Sequence, residues 1–121
     1  MAKVLMVGLH PDVVDFGKWP GLTAEKLQAG LARDQAALSA AGHRAEVHWV
    51  QDLEAAPDRL AAALSEDAYG VVLIGAGVRK DDDHFLLFER LVNTVHEHAP
   101  GARIAFNTGP TDTAAAVARW V

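Results

Sequence analysis

Three short stretches hold the side chains that could do chemistry. The first is Gly75-Ala76-Gly77-Val78-Arg79-Lys80, followed by Asp81-Asp82-Asp83. The second is Asn107-Thr108 with Asp112 just beyond it, and the third is Gly8, His10 and Asp12 near the N-terminus. Glycines let a backbone come close to a ligand, an arginine offers a bidentate donor, and helix N-termini favour negative charge. Asparagine and threonine orient a ligand by hydrogen bonds. A histidine suits acid/base work, being the side chain whose charge changes near neutrality. The expected site therefore has Arg79 holding an anion and Asn107 and Thr108 orienting it. Gly75 and Gly77 allow close approach, Asp12 and Asp112 stand nearby, and His10 is the candidate acid/base. The expected ligand is a small polar or anionic molecule, of unknown identity, with no cofactor specified.

Two other readings use the same residues. Asp81, Asp82, Asp83 and Asp112 already place carboxylates at helix N-termini, where they would repel a phosphate. The glycines would then serve tight turns, and Arg79 would answer internal carboxylates in a scaffold or dimerisation module. Alternatively, Asp12, Asp15, Asp112 and one of Asp81 to Asp83 could supply hard oxygen ligands to Mg²⁺ in a phosphotransfer enzyme. That reading requires at least three carboxylates to converge. Hydrolytic chemistry has little to draw on, because the two serines, Ser39 and Ser65, fall in helical stretches and no Gly-x-Ser-x-Gly elbow exists. His96 and His98 are two residues apart, a poor metal pair on a helix. They fit a helix C-terminus, where cations are favoured.

These residues need elements to position them, and the apolar pattern supplies an alternating series. Lys3–Leu9 and the run from Val71 to Ile74 are nearly continuous apolar stretches, the mark of strands buried on both faces. Arg44 to Gln51 alternates charged and apolar residues, as an edge strand does. Ala102 to Phe106 is a fourth strand. Helices are expected over 24–41, 58–65, 84–98 and 113–120. Thr23 and Thr111 are the expected N-caps, and Gly42 the left-handed residue closing the first helix. In the third helix Phe85, Phe88, Leu91, Val92 and Val95 form the inner face, leaving Leu86 and Leu87 as an exposed pair. Asp34 falls on the apolar stripe of Leu27, Leu31 and Leu38. It is expected either to reach solvent or to pair with Arg44 or His48. The stretch from Pro11 to Leu22 reads as a long loop, either a lid or a segment pinned by Phe16 and Trp19.

Alternation of strands and helices implies a parallel sheet with right-handed crossovers. The expected fold is one α/β domain, a three-layer sandwich on a four-stranded parallel sheet in the flavodoxin- or Rossmann-like order 2-1-3-4. Ligands bind such sheets beyond the carboxyl ends of the strands, where the order reverses, here between strands 1 and 3. The sheet is short and its fourth strand is an open edge, so a homodimer is expected.

Composition narrows the classes. The chain has 121 residues, half of them hydrophobic, 22% charged, and a net charge of −5. That balance argues against a nucleic-acid partner, which needs a basic face. The absence of cysteine excludes thiol nucleophiles, disulfides and cysteine metal sites. No signal peptide or membrane span is read, so no membrane partner is expected and the expected compartment is the cytoplasm.

The run Gly75-Ala76-Gly77-Val78-Arg79 recurs with Leu87-Phe88-Glu89, Asn93, Val95-His96, Ala99-Pro100, Phe106-Asn107-Thr108 and Asp112-Thr113 in a pattern. That pattern resembles a small bacterial family of uncharacterised Rossmann-like proteins. The resemblance implies the fold and no particular activity. Response-regulator receivers are similar in architecture, but His10-Pro11 and Gly75-Ala76 stand where their acidic pair and acceptor aspartate belong. The stretch Asp12 to Lys18 resembles the signature of cobalamin-binding domains, with Val14 in place of the ligating histidine.

Overall fold

A computed structural model describes residues 2–109 and 111–121. Strand β1 (Lys3–Leu9) is followed by α1 (Ala24–Ala40), β2 (Arg44–Val50), α2 (Ala56–Glu66), β3 (Val71–Ile74), α3 (Ala76–Arg79), α4 (Phe85–His98), β4 (Arg103–Phe106) and α5 (Thr113–Ala118). The four strands form one parallel sheet in the order β2-β1-β3-β4. This is the expected order, and it follows from burial. The two strands with the longest apolar runs take the centre, and the polar β2 takes an edge.

The side chains of β1 alternate between two cores. Leu5, Val7 and Leu9 join Leu60 and Leu64 of α2 and Leu91 and Val95 of α4. Val4 and Met6 join Leu38 of α1 and Ala116 and Val117 of α5. Successive strand residues point to opposite faces, so each core lies on its own side of the sheet. The helices are shared out as right-handed crossovers require. Full burial of a residue such as Leu91 is worth roughly 1.5–3 kcal/mol, so each face contributes several such increments.

Local signals set most boundaries. Thr23 caps α1 by accepting from the Lys26 N–H at 3.2 Å. Gly42, at φ +90°, supplies the left-handed turn beyond its C-terminus. Pro57 falls in the first turn of α2, where its missing N–H costs nothing. The helix therefore starts at Ala56, two residues before the expected start.

Four expectations need correction. Residues 11 to 22 are not structureless, since they contain 3₁₀ turns over Pro11–Val13 and Phe16–Lys18. Past Gly75, where no helix was expected before residue 84, the chain winds a short helix, α3, at once. The inner face of α4 is turned from the one expected. Leu87 is buried with Leu91, Thr94 and Val95, whereas Phe85 and Leu86 are 60% and 62% exposed. A 3₁₀ turn over Asp82–His84 leads into α4, and Phe85 is its first residue. That entry turn sets the phase of the helix, and position 85 is exposed. Finally, Asp112 rather than Thr111 occupies the N-cap of α5.

Candidate functional site

The carboxyl ends of β1, β3 and β4 open into a cleft of about 800 Å³. It lies on the α1 side of the sheet, where the strand order reverses. Its apolar walls come from Met6 and Leu73 on the sheet, Leu27 and Leu31 on α1, and Trp19 and Leu22 on the 11–22 segment. Three cations line it, Lys26 and Arg33 from α1 and Lys80 after α3. Asn107, Thr108 and Thr113 are its polar side chains, and among the described residues no carboxylate lines it.

The polar end of the cleft is fixed by a directed hydrogen-bond chain. The Ala76 N–H donates to Asn107 Oδ1 at 2.9 Å. Asn107 Nδ2 donates to Thr113 Oγ1 at 2.9 Å, and Thr113 Oγ1 donates to Asp34 Oδ2 at 2.8 Å. Asn107, Thr113 and Asp34 are all buried. Burial pushes the Asp34 carboxyl above its ordinary range, and the Thr113 hydroxyl offsets this only in part. Asp34 thus meets neither Arg44 nor His48 nor open solvent. Its partner is a hydroxyl on the last helix.

Two of the three cations of the cleft have neutral partners. Lys26 Nζ donates to the Gly21 carbonyl at 2.8 Å, and Lys80 Nζ donates to the Thr108 carbonyl. Among the described residues, none of Lys26, Arg33 and Lys80 has a carboxylate within ion-pair distance. Two lysines elsewhere, Lys3 and Lys18, do have carboxylate partners. At the opposite end of the sheet, Lys3 pairs with Asp67 and with Glu46 at 3.4 Å. The Tyr69 hydroxyl donates to the same Glu46 at 2.6 Å. Burial first, and then that carboxylate, push the Tyr69 phenol up to about 12.

The segment over the cleft is held by Lys18. Its ammonium lies 2.8 Å from Asp81 Oδ1 and also reaches Asp83. Asp81 is 5% exposed and also accepts from the Asp83 N–H at 3.0 Å. The Lys18 ammonium is the main reason the Asp81 carboxyl sits below its ordinary range. In return, the hydrogen bonds it donates to Asp81 and Asp83 raise Lys18. Trp19 and Pro20, the next two residues, line the cleft. The pin is therefore an ion pair, and Trp19 forms part of the cleft wall.

The expected site residues divide into two groups. Gly75, Gly77, Asn107 and Thr108 line the cleft together. Arg79, His10, Asp12 and Asp112 do not line it. Arg79 Nη2 donates to the Asn107 carbonyl at 2.7 Å, and its buried Nε has no partner among the described residues. Arg79 therefore ties α3 to the end of β4 rather than answering an internal carboxylate. His10 packs edge-on against Trp49 of β2 at 5.4 Å between ring centroids. Its Nδ1 accepts from the Asp12 N–H at 3.1 Å. Asp112 accepts from Thr108 Oγ1 at 2.8 Å and from the N–H groups of Thr108 and Gly109. Partial burial pushes its carboxyl up, but these donors outweigh that and hold it below its ordinary range. Gly75 has a structural reason of its own, because a Cβ there would meet the Val7 carbonyl oxygen at 3.3 Å.

The carboxylates considered for Mg²⁺ have other partners. Among the described residues no three of His, Asp and Glu come together to hold a metal ion. Sequence reasoning missed Lys26, Arg33 and Gly30 as cleft residues. One signal was present, namely Gly30 in the interior of α1, where glycine costs about 1 kcal/mol relative to alanine. It is buried and lines the cleft.

No helix among the described residues is long and apolar enough to cross a membrane. No protein-family model, curated protein or solved structure matches the chain. The α/β fold implied by the resemblance of the C-terminal half is present in the geometry, with no named family behind it.

Proposed function

We propose that the protein binds a small anionic molecule in the cleft beyond the carboxyl ends of β1, β3 and β4. One observation carries the reading: in a chain of net charge −5, three cations line a single cleft with no carboxylate among the described residues that line it. A low-dielectric wall strengthens the field of those cations, which favours an anion over a neutral molecule. Lys80, beside Asn107 and Thr108, is the group placed to meet the charge. Arg79 acts through the backbone, holding the Asn107 carbonyl. No catalytic role is assigned, since His10 lies on the β2 side of β1 and outside the cleft lining.

A thermal-shift screen of nucleotides, sugar phosphates and carboxylates tests the reading. A ligand at 100 times its Kd adds about 2.7 kcal/mol of stability. The shift should shrink in a Lys26→Gln, Lys80→Gln double variant. An equal shift in wild type and variant would place the ligand elsewhere.

Self-association is a second reading, favoured by the adjacent exposed side chains of Phe85 and Leu86. It uses a different surface and is compatible with ligand binding.

A further inference from the structure

Resting on the anion-binding reading above, we infer that the ligand is amphipathic: a carboxylate or phosphate carried on an apolar body. The cleft is a poor fit for a bare inorganic anion or for a sugar phosphate. Its volume of about 800 Å³ falls in the range of sites for whole organic molecules, roughly 300–1,000 Å³. Its walls are aliphatic apart from the half-buried Trp19 ring, a flat surface for an alkyl chain or an aryl ring.

The polar groups lining the cleft are few, and the charged ones among them are donors only. Asn107 commits its carbonyl to Ala76 and one amide hydrogen to Thr113. The Thr113 hydroxyl both accepts and donates within the buried chain. The Thr108 hydroxyl donates its hydrogen to Asp112, and the Thr108 carbonyl accepts from Lys80. Lys26 and Lys80 each keep donors beyond the one carbonyl they serve, since an ammonium has three. A polyhydroxylated ligand needs an acceptor for each hydroxyl hydrogen, and among the described residues these side chains offer few beyond the Thr108 hydroxyl oxygen and one lone pair of the Asn107 carbonyl. An anionic head needs only donors.

Gly30 adds an independent observation. It interrupts α1 at a position that would favour alanine, and it is buried against the cleft. Lys26 and Arg33 lie seven residues apart on the same helix, about 10 Å along its axis, flanking Gly30.

Calorimetric titration of the full chain with acetate, butyrate, hexanoate, octanoate, 1-hexanol and inorganic phosphate tests this. The expected result is that Kd falls about fourfold per added methylene from butyrate to octanoate. Hexanoate should bind at least about tenfold tighter than 1-hexanol, a difference worth about 1.4 kcal/mol. The Lys26→Gln, Lys80→Gln double variant should lose most of that difference, and Trp19→Ala should flatten the chain-length dependence. If acetate or phosphate binds as tightly as octanoate, the amphipathic inference is overturned while the anion-binding reading stands. If 1-hexanol binds as tightly as hexanoate, or if nothing in the series binds, the anion-binding reading falls with it.

Discussion

Thr113 Oγ1 donates to Asp34 Oδ2 at 2.8 Å, joining residues 79 positions apart in the chain. This bond ties α1 to α5 beneath the cleft. Through Asn107 it also fixes the orientation of the amide at the cleft's polar end. A buried carboxylate is costly without a donor, so the hydroxyl of Thr113 is what makes Asp34 tolerable on an apolar face.

Removing that hydroxyl should be expensive. Thr113→Val leaves both the Asp34 carboxyl and the Asn107 amide without their partner. It is expected to lower stability by about 1–3 kcal/mol, whereas Thr113→Ser should retain most of it. Urea denaturation of the three proteins checks this, and equal losses for Val and Ser would contradict it.

Asp34 itself gives a pH signature. Its folded pKa is raised, so the folded state holds the proton more tightly than the unfolded chain. Stability therefore falls as pH rises from the unfolded carboxyl value through the folded one, and stays reduced above it. Asp34→Asn keeps an acceptor for Thr113 and removes the charge. The variant should be more stable than wild type at neutral pH. The advantage should vanish once the pH drops below about 4, the ordinary aspartate value. Denaturation midpoints across that range decide the matter, and a variant less stable at neutral pH would contradict it.

How much of this was legible in the sequence follows from how local each signal is. The sheet order was legible because Val71–Ile74 and Val4–Val7 are apolar on both faces and Arg44–Val50 is not. Gly42 and Thr23 were legible because caps depend on one residue and its immediate neighbours. The inner face of α4 was not, since the apolar run Phe85-Leu86-Leu87-Phe88 leaves the phase ambiguous until the entry turn sets it. The partner of Asp34 was hidden by distance along the chain. That of Arg79 was hidden because it is a main-chain carbonyl, which no pattern of side chains reveals. The cleft was half legible. Its strand-end residues followed from topology, but Lys26 and Arg33 face it only because α1 packs where it does.

The Lys18–Asp81 ion pair should hold that segment over a wide pH range. The depressed Asp81 carboxyl contributes stability above about pH 4, lost as pH falls through its folded value. The raised Lys18 contributes below about pH 10, lost as pH climbs through its folded value. Lys18→Met should therefore be cleaved severalfold faster near Trp19 in limited proteolysis at neutral pH. Wild type and variant should converge in acid. Equal cleavage rates at neutral pH would show that the segment is held by something else.

The exposed pair Phe85 and Leu86 predicts an effect on assembly alone. Leu86→Glu should weaken self-association by about tenfold or more in sedimentation velocity without lowering the melting temperature. A wild-type protein that stays monomeric at high micromolar concentration would contradict self-association through this surface.

The central claim is that the cleft beyond β1, β3 and β4 is a ligand site. Backbone amide shifts followed during titration with octanoate test it most directly. The account predicts saturable shifts clustered at Gly8, Gly30, Gly75, Gly77 and Lys80, all residues lining the cleft. Shifts confined instead to the shallow depression of Ser39, His43 and Arg44 between α1 and β2, or no saturable shifts at all, would contradict it.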